Sequence, residues 1–261
     1  MIPDAEHGPL PEGFRWLLIG GAPRSGTTLL YHLLKSHPAV ALRNEKDLFE
    51  RLDAAGPGAA AEDFLTALRP DQLDELVYLG EKKPEYYEAK LSRIFSDAVP
   101  VVIHISRRPD LVIDSMLRRT AAAAAGADWA WSRFFSEQDG IDTWLRAWQF
   151  AVAHRDAPWL LHLKYEDLVG DPERCMSTIF AHLGLDHGPY DRAMIQSEPA
   201  RRAAARTTPA FERQLAEISR CWDRPLEELE QRFEHLRPSR FSGLRRIRRR
   251  LLWALSVKDS A

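Results

Sequence analysis

The chain has 261 residues, of which 45% are hydrophobic, and a formal net charge of −2 at pH 7. This length and apolar content suit one large α/β domain or two small ones. The near-neutral charge excludes the overall basicity that marks many nucleic-acid-binding domains, so we expect no nucleic-acid partner. No apolar run reaches the roughly 18 residues that a membrane-spanning helix requires.

The start of the chain and its cysteines bear on the cellular compartment. Residues 1–13 are polar and contain three prolines, which predicts a loose arm without the apolar segment of a signal peptide. The two cysteines, Cys175 and Cys221, form no metal-ligand pattern and suit a reducing compartment. We therefore expect a cytoplasmic protein.

The segment from residue 16 to residue 34 is the most informative part of the chain. The apolar run 16–19 is short and continuous, as is typical of a buried parallel strand. A glycine-bearing loop follows, and helical spacing of leucines begins at Thr27. Because the N–H groups of such a loop and the N-terminus of the helix attract anions, this unit predicts a phosphate-binding site.

The loop departs from the P-loop pattern G-x-x-x-x-G-K-[ST] at one position. Gly21, Gly26 and Thr28 match the pattern. Thr27 occupies the lysine position, and the cation of the loop is Arg24 instead. No obvious acidic partner for magnesium is present. The loop therefore predicts a phosphate-bearing ligand bound without a metal, and an ordinary turn between a strand and a helix is the alternative.

The segment Ala22-Pro23-Arg24-Ser25-Gly26-Thr27-Thr28 resembles the 5′-phosphosulfate loop of sulfotransferases that use 3′-phosphoadenosine 5′-phosphosulfate (PAPS). It is most similar to the branch that contains tyrosylprotein and heparan-type enzymes and their bacterial relatives. The Golgi members of this branch carry a membrane anchor. Because the sequence contains no apolar run long enough for such an anchor, we expect a bacterial enzyme. The resemblance implies that the following residues bind the donor: Arg24, Ser25, Gly26, Thr27 and Thr28.

A polar segment follows the next predicted strand, which starts after His37-Pro38. Open α/β sheets bind ligands beyond the carboxyl ends of their strands, so a carboxylate here is well placed for chemistry. Asn44-Glu45 followed by Phe49 resembles the family's Asn-Glu-x-x-x-Phe stretch, whose glutamate deprotonates the acceptor hydroxyl. Glu45 is therefore the predicted general base, Asp47 is the alternative base, and a solvated charged turn is the non-catalytic interpretation.

Apolar spacing between residues 64 and 77 predicts helices after a flexible segment at 54–58. The next stretch, Glu81-Lys82-Lys83-Pro84-Glu85-Tyr86, resembles the family's Glu-Lys-Thr-Pro-x-Tyr motif, whose lysine contacts the sulfuryl group and the bridging oxygen. Lys82 occupies that position. Sulfuryl transfer develops negative charge on the departing phosphate oxygen, and a positioned ammonium stabilises it. An exposed lysine pair before a helix is the alternative.

The apolar, β-branched run 99–105 predicts an internal parallel strand. Within it, His104 is interpreted as a core or edge histidine rather than a catalyst. Arg107 at the strand tip and Ser115 in the following helix can reach one phosphate above the sheet. Arg107, Pro109 and Ser115 resemble parts of the family's Arg-Asp-Pro-x-x-Arg-x-x-Ser motif, although its aspartate and second arginine are replaced. The resemblance implies that Arg107 and Ser115 bind the donor's 3′-phosphate.

A third parallel strand is predicted at 159–163, and Tyr165-Glu166-Asp167-Leu168 after it resembles a further family region whose acids we interpret as structural. The aromatic residues between 129 and 135 either line an acceptor pocket or belong to the core. Ala200-Arg201-Arg202 takes the place of a Lys-Gly-Arg loop that closes over the nucleotide in heparan-type relatives. The resemblance implies that Arg202 contacts a phosphate, and a solvated basic loop is the alternative.

The C-terminal segment 244–261 contains five arginines interleaved with apolar residues. It predicts a basic helix that either packs on the domain or lies on an anionic membrane surface.

These elements together predict one α/β domain over residues 1–261, P-loop NTPase-like, with a parallel sheet of about five strands flanked by helices. The predicted function is transfer of a sulfuryl group from PAPS to an acceptor hydroxyl or amine, without a metal. The alternatives are a P-loop kinase or NTPase with a degenerate lysine position, and a catalytically silent nucleotide-binding protein. A small molecule, a glycan, a glycolipid or a tyrosyl peptide all remain open as the acceptor, and the sequence indicates no oligomeric state.

Overall fold

The structure is a computed structural model, and it describes the following parts of the chain: residues 12–45, 48–68, 72–84, 91, 100–126, 136–195 and 208–222. Asp47, Arg202, the aromatic segment 129–135 and the basic segment 244–261 lie outside these ranges. What the sequence predicts for them stays a prediction.

Five strands form one sheet in which every neighbouring pair is parallel. The strands are β1 (Arg15–Gly20), β2 (Val40–Asn44), β3 (Tyr78–Lys82), β4 (Val101–Ser106) and β5 (Leu160–Lys164). Their order is β2-β3-β1-β4-β5. β1 is therefore central, with β2 and β3 on one side of it and β4 and β5 on the other. In open α/β sheets, ligands bind where the strand order reverses in this way, beyond the carboxyl ends of the strands.

The described helices are α1 (Thr27–Leu34), α2 (Leu48–Thr66), α3 (Pro109–Ala124), α4 (Glu137–Ala153), α5 (Tyr165–Gly170), α6 (Pro172–Leu183) and α7 (Pro209–Trp222), with a 3-10 turn at Arg192–Met194. None of these helices combines the length and the apolar character needed to cross a bilayer. α2 continues through residues 54–58, where the sequence predicts a flexible segment, and it is interrupted at Gly56, whose φ is 77°.

The strand β3 is not among the strands that the sequence predicts: apolar spacing predicts helices up to residue 77, and no strand is predicted at Lys82. All five residues of β3 are buried, although they include Gly80, Glu81 and Lys82. A Cβ at Gly80 would lie 1.7 Å from the carbonyl oxygen of Leu17 in β1. Glycine is therefore required at this position of β3, and local propensity is overruled by the position in the sheet.

The α/β class, the parallel sheet of five strands and the flanking helices agree with the prediction of a single-domain fold. Within it, the chain divides into two compact units. The first comprises 1–107 and 153–200 and contains the whole sheet. Its core joins the sheet residues Ile19 and Ile103 to Leu30 of α1 and Ile179 of α6.

The second unit comprises 108–152 and 201–261 and contains α3, α4 and α7. Trp144 and Trp148 of α4 stack with their ring centroids 5.5 Å apart, and Trp222 of α7 contacts both rings. Thr208 donates its backbone N–H and its hydroxyl to the carboxylate of Glu137. This unit is thus held by an aromatic cluster and a charge-assisted polar contact.

Two histidines lie side by side on β4 and β5 of the first unit. His104 is completely buried, in agreement with its interpretation as a core residue, and its ring centroid lies 5.9 Å from that of His162. His162 Nε2 lies 3.0 Å from Ser106 Oγ. Burial, with a smaller effect of the Lys164 charge, lowers the pKa of His162 to about 4. His162 is therefore neutral in the folded protein at neutral pH.

This lowered pKa predicts a pH dependence of stability. The unfolded chain, with a His162 pKa near 6.5, binds a proton at higher pH than the folded chain does. The contribution of His162 to stability is therefore complete above pH 6.5 and is lost as the pH falls towards 4. We expect the melting temperature of His162→Gln to fall less steeply than that of the wild type over this interval. Parallel pH profiles of the two proteins would contradict the assignment.

Candidate active site

The loop between β1 and α1 requires both of its motif glycines. Gly21 has a φ of 145° and Gly26 a φ of 101°. A Cβ at Gly21 would lie 2.2 Å from the carbonyl oxygen of Ile105, and one at Gly26 would lie 2.4 Å from Cδ2 of Tyr165. The backbone conformation and the lack of space therefore both explain the glycines.

The residues between these glycines form a tight turn. Arg24 has a φ of 74°, which is unusual for a residue with a side chain, and the N–H of Ser25 donates to the carbonyl of Ala22 at 3.1 Å. The Ser25 hydroxyl is buried and has no hydrogen-bond partner among the described residues. Thr27 is buried and Thr28 is exposed at the first turn of α1. A turn of this kind, ending at a helix N-terminus and carrying a buried hydroxyl and a cation, fits a phosphate-bearing ligand.

The structure brings the predicted base and the predicted lysine together. Asn44, the last residue of β2, is paired with Lys82, the last residue of β3. The backbone N–H of Glu45 donates to the carbonyl of Lys82 at 3.0 Å. The Lys82 ammonium also donates to Oε1 of Glu45, so the two residues are joined by a backbone bond and an ion pair.

The two members of this ion pair differ strongly in burial. The Lys82 side chain is 3% exposed, whereas the Glu45 side chain is 54% exposed. Glu45 has a φ of 54°, so its carboxylate is presented from a left-handed backbone at the end of β2. The pair therefore consists of a nearly buried ammonium and a carboxylate that solvent can reach.

Neighbouring charges hold this part of the sheet in place. Glu81 is completely buried, and its carboxylate accepts the N–H of Leu48 at the first turn of α2 at 3.2 Å. Arg43 donates to Asp63 of α2 at 2.8 Å, and this bond lowers the pKa of Asp63. Glu81 and Arg43 therefore attach the sheet to α2, and the sequence analysis assigned neither of them this role.

Tyr165 links the loop to Arg107. The guanidinium carbon of Arg107 lies 4.1 Å from the centroid of the Tyr165 ring, within the range of a cation–π contact. The same ring occupies the space next to Gly26 that a Cβ would need. Tyr165 thus touches both predicted phosphate-binding elements of the first unit. The sequence motifs do not assign this role to Tyr165, although its place directly after β5 is a usable signal.

Ser115 is half-buried on α3 in the second unit, while Arg107 belongs to the first unit, so their shared role stays a prediction. No cluster of three or more His, Cys, Asp or Glu side chains suited to a metal occurs in the described ranges.

This site defines a class of protein: an α/β fold whose loop after β1 suits a phosphate-bearing ligand, with a carboxylate and an ammonium at the ends of β2 and β3. A model described as the sulfotransferase family matches residues 17–76 and 50–189. The chain therefore belongs to the sulfotransferase family, as the loop sequence predicts.

Individual relatives agree with this assignment. The chain is 28% identical over 208 residues to protein-tyrosine sulfotransferase 1 of Danio rerio, covering 70% of this chain and 56% of that protein. It thus spans little more than half the length of that relative.

Solved structures share the fold. A sulfotransferase from Alicyclobacillus acidocaldarius superposes with a TM-score of 0.52 at 15% identity, covering 78% of this chain and 91% of the other. A mouse sulfotransferase complexed with PAP superposes with a TM-score of 0.50 at 14% identity, covering 84% and 90%.

The close approach of Tyr165 to Gly26 predicts a large effect of Gly26→Ala. The new Cβ would collide with the ring from a backbone conformation that alanine disfavours, so we expect a loss of about 2 kcal/mol or more in the free energy of unfolding. Urea denaturation measures this loss. Gly170→Ala is the matched control, because a Cβ there meets nothing within 4 Å. Equal stabilities of the two variants would contradict the loop geometry.

Proposed function

We propose that the protein transfers a sulfuryl group from PAPS to an acceptor hydroxyl or amine. The observation that carries this proposal is the position of Glu45 and Lys82 at the ends of β2 and β3, beside the strand β1 that leads into the glycine-bearing loop. Lys82 is paired in the sheet both with Asn44 and with Ile19. Ile19 is the second-last residue of β1, and the loop starts after Gly20. Adjacent strands lie about 4.8 Å apart. Glu45, Lys82 and the start of the loop therefore lie close together at the carboxyl ends of β2, β3 and β1.

PAPS is proposed as the donor because it carries two anionic groups, a 5′-phosphosulfate and a 3′-phosphate, and the first unit offers a candidate binding element for each. The loop residues Arg24 to Thr28 would hold the 5′-phosphosulfate through backbone N–H groups, the Ser25 hydroxyl and the Arg24 charge. Arg107, supported by Tyr165, would hold the 3′-phosphate, and the family motif implies Ser115 as a further ligand. The PAP bound by the mouse structure, which is the desulfated form of PAPS, supports this choice of donor.

The proposed chemistry is an in-line displacement at sulfur. The Glu45 carboxylate accepts the proton of the acceptor, whose oxygen or nitrogen forms a bond to sulfur. The bond between sulfur and the bridging oxygen breaks, and the electron pair remains on the 5′-phosphate of adenosine 3′,5′-bisphosphate. Lys82 and the loop donors stabilise this developing charge. In this scheme fixed cations and N–H groups neutralise the donor, and a metal has no assigned role.

The acceptor is proposed only by class. A hydroxyl acceptor is supported by the match to a protein-tyrosine sulfotransferase, which makes a tyrosyl peptide one candidate. A small molecule, a glycan and a glycolipid are the other candidates.

Two variants test the chemistry. We expect Glu45→Gln and Lys82→Met each to lower the turnover of PAPS by a factor of about 10² to 10⁴, while adenosine 3′,5′-bisphosphate still binds. Sulfation assays on a panel of phenols, sugars and tyrosyl peptides, combined with calorimetry, measure both quantities. Glu62→Gln, which removes an exposed carboxylate of α2, is the control and should retain activity.

The outcome of this test separates the proposal from its rivals. Tighter binding of ATP with magnesium than of adenosine 3′,5′-bisphosphate would favour a kinase or NTPase. Nucleotide binding without turnover on any acceptor would favour a catalytically silent protein.

The contact between Arg107 and Tyr165 predicts a ligand-specific effect. In Tyr165→Leu the guanidinium loses its aromatic support, so the affinity for adenosine 3′,5′-bisphosphate should fall more than that for adenosine 5′-monophosphate, which lacks the 3′-phosphate. Tyr165→Phe keeps the ring and should behave as the wild type. Calorimetric titration of both nucleotides measures the difference, and an equal loss for both would show that Tyr165 does not act through Arg107.

A further inference from the structure

The proposed base and the proposed cation satisfy each other in the structure. Lys82 Nζ donates a hydrogen bond to Oε1 of Glu45, and the Lys82 side chain is 3% exposed. In the proposed reaction, however, Lys82 must face the bridging oxygen of the donor, and Glu45 must face the proton of the acceptor. The ion pair seen in the structure and the contacts required for the reaction therefore exclude each other.

We propose that the ion pair between Lys82 and Glu45 is a latch that the donor opens. Binding of PAPS draws the Lys82 ammonium from the Glu45 carboxylate to the sulfuryl group and bridging oxygen. The carboxylate is thereby released for the acceptor, and it becomes available as a base only after the donor is in place. This inference rests on the proposed function and adds an order of events to it.

The unequal burial of the two groups gives the latch its direction. A nearly buried ammonium is costly to leave without an anionic partner, whereas a half-exposed carboxylate is readily solvated by water. Lys82 can therefore leave Glu45 only when another anion replaces it, and the sulfated phosphate of the donor is such an anion. Glu45, once released, needs no new partner.

The backbone keeps the released carboxylate in position. The N–H of Glu45 stays bonded to the carbonyl of Lys82, a contact that does not involve either side chain. Opening the latch therefore requires only side-chain rotation, and the strand ends that carry the two residues stay in register.

The latch predicts that removal of the Glu45 charge strengthens binding of the donor. We expect Glu45→Gln to bind PAPS about tenfold more tightly than the wild type in the absence of acceptor, because the donor no longer displaces a charged partner. Its melting temperature without PAPS should be lower than that of the wild type, and the rise on addition of PAPS should be larger.

A double-mutant cycle separates the latch from simple repulsion between Glu45 and the anionic donor. If Lys82 mediates the effect, Glu45→Gln gains no affinity when it is introduced into Lys82→Met. If the carboxylate merely repels the donor, the gain persists in that background. Glu62→Gln controls for the loss of one negative charge from the same unit.

Equilibrium binding of PAPS to the wild type, both single variants and the double variant is therefore the deciding experiment. A tenfold gain in Glu45→Gln that vanishes with Lys82→Met supports the latch. No gain, or a gain that persists in the double variant, overturns it. Failure of the wild type to bind PAPS at all would instead overturn the proposed function.

Discussion

The insertion of β3 between β1 and β2 is the constraint on which the site depends. β3 is the neighbour of both strands, and its last residue, Lys82, is in register with Ile19 on one side and Asn44 on the other. This insertion is possible because Gly80 leaves room for the carbonyl of Leu17. A Cβ at that position would collide with β1, the strand that leads into the glycine-bearing loop, and would disturb the register that places Lys82 beside Ile19.

The sequence predicts the parts of this site better than their arrangement. The strand, loop and helix around Gly21 and Gly26 are predicted because apolar run, glycine spacing and helical spacing are all local signals. β3 is missed because glycine, glutamate and lysine have low strand propensity, and only burial between two partners makes this segment a strand. The bond between Glu45 and Lys82 joins residues 37 positions apart, and no local pattern encodes such a contact.

Tyr165 shows a second limit of reasoning from the sequence. In the sequence, the acids of the Tyr-Glu-Asp-Leu stretch are interpreted as structural, whereas in the structure it is the aromatic ring that contacts Gly26 and Arg107. A motif shows which residue types occur together in the sequence. Which of their side chains contacts Arg107 depends instead on the register of β5 beside β4. Tyr165 follows β5 directly, so its ring reaches the same sheet edge as Arg107 at the end of β4.

Backbone strain coincides with the proposed chemistry. Within the described residues, Arg24 and Glu45 are the two non-glycine residues with positive φ, and both belong to the predicted site. Such conformations cost about 1 kcal/mol or more and persist only where the surroundings enforce them. At Glu45 the enforcing contact is the backbone bond to Lys82, so one residue supplies both the ion pair and the backbone restraint. The conformation that presents the carboxylate is therefore maintained by β3 itself, and it remains in place when the ammonium turns towards a donor.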